Sequence, residues 1–255
     1  MPSSTFADHF SGVAERYAAS RPDYPSRLFA YLARMASGRR RAWDCATGNG
    51  QAARALARHF EEVIATDASA RQLSVARRHR RVRYEVARAE DSGLEAESFD
   101  CVTVAQSLHW FDISAFWSEV RRVLVQGGVL AVWCYDLLRT DPGVDAVLDH
   151  LYRDVVGPYW PPERAVVEHG YRTLDFPFAE EIPPAFRMEK RWKLEALVEY
   201  LGTWSATQRY MEARGEDPIA HVHDELRRAW GRASRVRRVV WPLDLRIGRK
   251  EGHGR

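Results

Sequence analysis

Between positions 41 and 135 short apolar runs alternate with segments whose apolar residues recur at helical spacing, the pattern of successive strand–helix–strand units in a mostly parallel sheet. Residues 42–46, 63–66, 82–86, 101–105 and 129–134 read as the strands. With two later runs, at 186–192 and 239–247, they predict a doubly wound, seven-stranded α/β sheet. Helix starts are marked in the gaps. Ser69 is placed to cap a helix through Leu73 and Ala76, and Asp112 precedes Phe116, Val120 and Leu124 at spacings of four. Gly127-Gly128 is expected to end that second helix and open the next strand.

The flanks break this alternation. Residues 6–19 are amphipathic, Pro22 and Pro25 impose extended backbone, and Ser26 is placed to cap a further helix. Residues 1–36 therefore read as an N-terminal helical cap beside a core at 37–136. Asp141-Pro142 starts a helix expected to reach Val155, and Gly157-Pro-Tyr-Trp-Pro-Pro162 is a stiff aromatic loop. Residues 137–193 thus read as a helical and aromatic insertion, ending in the sixth strand and serving as a substrate cap. Helices at 194–200 and 219–230 and the last strand complete the same domain at 194–248, and 249–255 are expected to form a disordered tail.

Composition narrows the class. With 45% hydrophobic against 29% charged residues, the 255-residue chain can bury a real core, which excludes disordered, collagen-like and coiled-coil readings. No apolar run approaches the roughly 18–20 residues that span a bilayer, and the first residues lack a signal-peptide core, so a soluble, cytoplasmic protein is expected. Cys45, Cys101 and Cys134 sit in or at the ends of apolar runs and read as buried, reduced thiols; their spacing suits neither disulfides nor zinc, and no metal is expected. The 38 basic and 35 acidic residues leave a net +3, and Gly38-Arg-Arg-Arg41 reads as a solvated face and not as a nucleic-acid patch.

The chemistry concentrates in one stretch. A strand ends in Asp44, and a turn of small residues, Ala46, Gly48 and Gly50, leads into a helix from Gln51. Such a turn lets backbone approach a nucleotide-like ligand closely. Asp67, seventeen residues past Gly50, closes the second strand where an acid can accept both hydroxyls of a ribose. The glycines and Asp67 also satisfy a dinucleotide fingerprint. Asp44 separates the two readings, because a carboxylate four residues before Gly48 would oppose an anionic pyrophosphate and suits a ligand carrying an ammonium and a sulfonium.

Asp44-Cys-Ala-Thr-Gly-Asn-Gly50 resembles the first motif of the class I S-adenosylmethionine-dependent methyltransferases, whose core is Rossmann-like. Ala46 stands where most members have glycine, a mild departure if its backbone torsion is negative. The resemblance continues through Asp67-Ala-Ser-x-x-Gln-Leu73, Ala89-Glu90, the strand at 99–104, Gln106-Ser-Leu-His-Trp-Phe-Asp112, Tyr17-x-x-x-Arg-Pro-x-Tyr-Pro25 and Thr203-Trp-Ser-Ala206. Together these look like the small-molecule branch that includes trans-aconitate methyltransferase. The resemblance implies S-adenosyl-L-methionine as cofactor. Asp44, the turn through Ala46, Gly48 and Gly50, and Gln106 would hold its methionine part; Tyr17 and Arg21 of the cap are further cofactor candidates, Arg21 being placed to fork onto a carboxylate of the cofactor or of a substrate. Asp67 would take the ribose, Ala68 and Gln72 would line the ribose or adenine, and Ala89 with Glu90 would meet the adenine edge.

The expected acceptor is a small molecule methylated on oxygen, a carboxylate or a hydroxyl. His109 is the candidate general base, since an imidazole of pKa about 6.5 can take a proton at neutral pH; a carboxylate acceptor, already ionised at about pH 7, needs none. Tyr135 closes a strand on the ligand-binding edge and is the second catalytic candidate, while Trp110, Tyr24 and Trp160 are candidate acceptor contacts. Two alternatives stand beside this reading. A nucleic-acid methyltransferase would carry an Asn or Asp, Pro-Pro, aromatic run after the fourth strand, where Ala105-Gln-Ser-Leu-His109 stands instead. A catalytically silent cofactor-binding subunit would have no need of both Asp44 and Asp67. A monomer or homodimer with no membrane partner is expected.

Overall fold

The computed structural model of the protein describes residues 22–251. In chain order its elements are α1 (Ser26–Met35), β1 (Arg41–Cys45), α2 (Gln51–Leu56), β2 (Glu62–Asp67), α3 (Ala70–Ser74), β3 (Val82–Val86), β4 (Phe99–Ala105), α4 (Ile113–Val123) and β5 (Leu124–Cys134). There follow α5 (Pro142–His150), α6 (Arg164–Glu168), β6 (Glu180–Glu181), β7 (Phe186–Trp192), α7 (Leu194–Gly202), α8 (Ser205–Arg214), α9 (His223–Trp230) and β8 (Arg237–Arg249). No helix among the described residues is long and apolar enough to cross a membrane.

The sheet has eight strands among the described residues, in the order β3-β2-β1-β4-β5-β8-β6, with β7 paired to β8. The first five run parallel, and β8 and β6 join antiparallel. One strand more than expected is present because β6 is only two residues long, too short for any period to show. The order reverses between β1 and β4, and in such sheets ligands bind outside the carboxyl ends of the strands at that switch point.

The chain divides into two compact units. The first, Asp23–Asp136, Glu163–Met188 and residues 242–251, contains the parallel strands. On one sheet face Trp43, Cys45, Ile64, Val102, Val104, Leu130 and Val132 pack with Phe116, Trp117, Val120 and Val123 of α4. Asp112 caps α4 by accepting from Ala115 N at 3.1 Å. Each fully buried side chain is worth about 1.5–3 kcal/mol and the cap about 1, so packing holds the helix and the cap sets its start. Leu28, Phe29 and Leu32 of α1 and Ala52, Ala53 and Leu56 of α2 are also fully buried, and the three cysteines are free and buried.

Three local expectations are corrected here. Ser26 lies inside α1, whose N-cap is Pro25 with extended backbone, so the proline sets the entry without a side-chain cap. Gly127-Gly128 lies within β5, since α4 already stops at Val123. Gly127 has φ +76°, a Cβ on Gly128 would sit 2.9 Å from Val125 O, and the register with β4 slips at this point. The glycines therefore mark a β-bulge. β8 continues through Arg249, and Lys250 N donates to Gly128 O at 2.9 Å, so Arg249 is strand and Lys250 is tied to the sheet, where a tail was expected.

The second unit, Leu137–Pro162 and Glu189–Trp241 among the described residues, is held by aromatic packing. Trp192, Tyr200 and Trp241 meet at ring distances of 5.1–5.5 Å, and Tyr152, Trp160 and Trp204 at 4.9–5.7 Å. Asp141 caps α5 and pairs with Arg237, and the helix continues as a π-helical turn to Val155, the end expected for it. α8 is an element beyond those expected: it buries only Ala206, Thr207 and Tyr210 and so shows little apolar periodicity.

Candidate active site

At the switch point β1 ends beside three consecutive alternating residues in the left-handed region, Ala46 (φ +52°), Gly48 (φ +56°) and Gly50 (φ +78°). Ala46 thus carries the positive torsion that the mild-departure reading excluded, at a cost of about 1–2 kcal/mol for an L-residue. Gly50 is required sterically as well: a Cβ there would lie 2.2 Å from Tyr84 Oη. α2, opening at Gln51, is only six residues long.

Two carboxylates organise this turn. Asp44 is 1% exposed and accepts from Thr47 Oγ1 at 2.5 Å and from Thr103 Oγ1 of β4 at 2.7 Å. Burial pushes its carboxyl up to about 6, against the pull of those hydroxyls, and nearby Asp67 pushes the same way. Asp67, at the end of β2, accepts from Gly48 N and Ser69 N, each at 2.9 Å, and so ties the first turn to the second. Ser69 then caps α3 by accepting from Gln72 N.

Among the described residues the face of the first turn is open, and a Cβ built on Gly48 would meet only Gln72 Oε1 of them, at 3.9 Å. Asp67 and Gln72 therefore border a stretch of backbone with space above it, which fits a ribose and the chain leading from it. Ala68 is exposed and Ala89 is buried to 8% exposure. Glu90 accepts from Asp112 N at 3.0 Å and pairs with Arg88, which joins the loop after β3 to the start of α4.

At the ends of β4 and β5 the side chains do something the sequence reading did not foresee. Gln106 (φ +61°) donates through Nε2 to Tyr135 O at 2.9 Å and accepts at Oε1 from Tyr135 N at 2.8 Å. Its amide thus extends the strand pairing by one rung and is committed to backbone, so any methionine contact would come from its main chain. Tyr135 is buried and fixed by this clamp.

His109 lies in a 3-10 turn, Leu108–Trp110, with Nδ1 3.1 Å from Tyr171 Oη. Burial, and then the Arg164 guanidinium, push its pKa down to about 4. Arg164 pairs with Asp136, just past β5. Tyr171 is fully buried at φ +62°, and its hydroxyl is pushed well above the usual phenol range by burial. Trp110 is 37% exposed with its ring 4.7 Å from that of His109, and Tyr24 packs edge-on against Trp133 at 5.4 Å.

The structure therefore brings together Asp44, Ala46, Gly48, Gly50, Asp67, Ala68, Gln72, Ala89 and Glu90 around the ends of β1 to β3, and Gln106, His109, Trp110 and Tyr135 beyond β4 and β5. Trp160 lies in the second unit, where it packs on Tyr152 and Trp204 and donates to Tyr152 O at 3.2 Å. Tyr17 and Arg21 lie outside the described residues. Asp136, Arg164 and Tyr171 escaped the sequence reading because no motif or period marks them.

Residues 43–132 match the family model of a methyltransferase domain. The fold matches the solved structure of an Anaeromyxobacter dehalogenans protein assigned as a type II methyltransferase, with TM-score 0.87 and 48% identity over 91% of this chain and 99% of that one. A Dictyostelium discoideum protein assigned as a methyltransferase is 28% identical over 98% of both chains. A Saccharomyces cerevisiae protein assigned as an S-adenosylmethionine-dependent methyltransferase is 30% identical over 53% of this chain and 49% of its own length.

Proposed function

From the premise that the chain belongs to the class I S-adenosylmethionine-dependent methyltransferases, we propose that it methylates an oxygen of a small-molecule acceptor held at the ends of β4 and β5. The branch similar to trans-aconitate methyltransferase is part of this reading. S-adenosylmethionine supplies a methyl group made electrophilic by its sulfonium. Asp67 accepts the ribose hydroxyls, Gln72 and Ala68 flank the same sugar, and Ala89 with Glu90 border the adenine. Asp44, buried behind the turn, holds a carboxylate near the cationic end of the ligand and braces the Ala46–Gly50 backbone through Thr47 and Thr103. His109, Tyr135, Trp110 and Tyr24 face the acceptor in this reading.

The observation that carries it is the pair of carboxylates at the ends of β1 and β2 that hold one turn at the switch point of the sheet, Thr47 donating to Asp44 and Gly48 N to Asp67. Isothermal titration of the full-length protein with S-adenosylhomocysteine tests it. Binding is expected, and Asp67→Ala should weaken it by roughly ten- to a hundredfold, the scale of a lost hydrogen bond to a charged group. Absence of heat at millimolar ligand would remove the proposal.

A further inference from the structure

We infer that the amino ends of β1, β2 and β3 form a docking surface for the phosphate backbone of a nucleic-acid duplex, built from the guanidinium groups of Arg39, Arg54, Arg58, Arg77, Arg78 and Arg80. The inference goes beyond the acceptor proposed above and does not depend on it, because the surface is centred at the opposite end of these strands from the Ala46–Gly50 turn.

The run Gly38-Arg-Arg-Arg41 by itself reads as solvated, and the fold joins it to two other basic segments. β1 begins at Arg41, β2 at Glu62 and β3 at Val82, and the register pairs Arg41 with Glu62 and Val63 with Val82. Glu61 N donates to Arg39 O at 2.9 Å and Val63 N to Arg81 O at 2.8 Å. Residues 39–40, 61 and 80–81 thus stand side by side across neighbouring strands, in steps of about 4.8 Å. The chain just past α2 closes the group, since Arg81 donates to the carbonyls of Ala57 and Phe60 at 3.4 and 3.5 Å. Burial, and then the charges of Arg39 and Arg58, push the His59 pKa down, which places those two arginines about one ring. The surface continues up the flank of β3. Burial raises the Tyr84 hydroxyl against the pull of neighbouring Arg54, and that hydroxyl donates to Arg77 O at 3.0 Å.

These six charges are uncompensated. None of them has a carboxylate partner among the described residues, although arginines at the rim do pair: Arg41 with Glu62 and Glu95, Arg83 with Glu85, and Arg88 with Glu90. Asp100 is turned onto the backbone amides of Arg40 and Arg41. Glu61 is left to oppose six guanidiniums, of which Arg39, Arg58, Arg77, Arg78 and Arg80 are exposed. Like charges gathered in this way repel one another and weaken the fold, and an array of anions offsets that cost.

The chemistry of the surface selects the polyanion. A guanidinium fork matches the paired oxygens of a phosphate, and a duplex offers one phosphate per about 1.7 Å of its axis. Single strands are held by stacking rings and bilayers by bulky apolar anchors. On these segments Phe60 is buried, Tyr84 packs on Gly50, and the large apolar residues that reach solvent are Val75 and Val86. Phosphate contacts alone fix a protein on a duplex without reading its sequence. β1 to β3 are five to six residues long, so roughly 17–20 Å separates the strand-end arginines from the cofactor turn. The duplex is therefore a platform for the enzyme and not its methyl acceptor.

Fluorescence anisotropy of the full-length protein with a short labelled DNA duplex tests this. Kd is expected on the order of 1–100 µM at physiological salt, and equal for duplexes of unrelated sequence. About five phosphate contacts correspond to an affinity that falls roughly five hundredfold as salt rises fourfold. Combining Arg39→Gln, Arg58→Gln, Arg77→Gln, Arg78→Gln and Arg80→Gln should weaken duplex binding by about tenfold or more and flatten the salt dependence. The same variant should bind S-adenosylhomocysteine as the wild type does and melt no lower. Combining Arg227→Gln, Arg228→Gln and Arg232→Gln at the end of α9 should leave duplex affinity within about twofold. An equal loss in that second variant, preference for anionic phospholipid vesicles over the duplex, or no binding at low salt overturns the inference. Transfer of radiolabel from S-adenosylmethionine to the duplex overturns it as well, since the duplex would then be an acceptor. The cofactor titration is read separately, so failure here is distinct from failure of the methyltransferase reading.

Discussion

A carboxylate kept 1% exposed, whose partners among the described residues are two hydroxyls and the Ala53 backbone amide and include no cation, is costly to ionise, and Asp44 shows that cost as a carboxyl raised from 3.8 to about 6. Between those values the folded protein binds more protons than the unfolded chain. Stability therefore falls as pH rises through this window and is level above it. Two pH units correspond to about 3 kcal/mol. Asp44→Asn should flatten that slope, leaving the variant no less stable than wild type at pH 7, while its affinity for S-adenosylmethionine drops. Thermal melts from pH 4 to 8, paired with titration of the cofactor, check both halves; an unchanged slope would show that Asp44 ionises freely. The acid's position was readable from sequence because it ends an apolar run just before a small-residue turn. The setting of His109 was not, because its hydroxyl partner belongs to Tyr171, 62 residues away in the chain.

Turns carry more of the specification than the elements they join. Four of the five parallel strands were readable because each carries a short apolar run buried on both faces, whereas β3, at the edge of the sheet, has no buried residue. Gly127-Gly128 misled because a glycine pair ends a helix and forms a bulge by the same torsional freedom; only the slipped partner strand distinguishes them. At Gly50 the demand is double, a left-handed torsion and a Tyr84 ring edge in the space of a Cβ. Gly50→Ala should cost about 1–2 kcal/mol for the torsion plus a further amount for displacing Tyr84, whose hydroxyl donates to Arg77 O at 3.0 Å. In a Tyr84→Ala background the second part disappears and the first persists. Denaturant melts of the four proteins in this cycle should show a coupling of about 1 kcal/mol or more; additivity within about 0.3–0.5 kcal/mol would show that the ring yields freely.

The sheet's last strand binds the far end of the first unit to the bulge and helix at β5, and this is where the expected tail matters for the whole molecule. Lys250 exchanges backbone hydrogen bonds with Gly127 and Gly128, at 2.8 and 2.9 Å. Its ammonium donates to the carbonyls of Arg121 and Leu124 at 2.8 and 2.7 Å, the free acceptors at the negative end of α4. Arg249 pairs with Val129 and donates to Gly127 O at 3.0 Å. One basic side chain thus caps a helix while its backbone closes a bulge, and the Lys250 side chain is only 13% exposed. At about 0.5–1.5 kcal/mol net for each bond, more for the charged ones, truncation after Gly248 should cost roughly 2–4 kcal/mol. For a chain of this size that is a Tm lowered by about 5–15 °C. Truncation after Glu251 keeps every one of these bonds, so the difference in Tm between the two truncated proteins reads the contribution of residues 249–251 directly. Equal melting temperatures would mean that α4 and the bulge hold without the strand end, and that the sheet is closed by β5 alone.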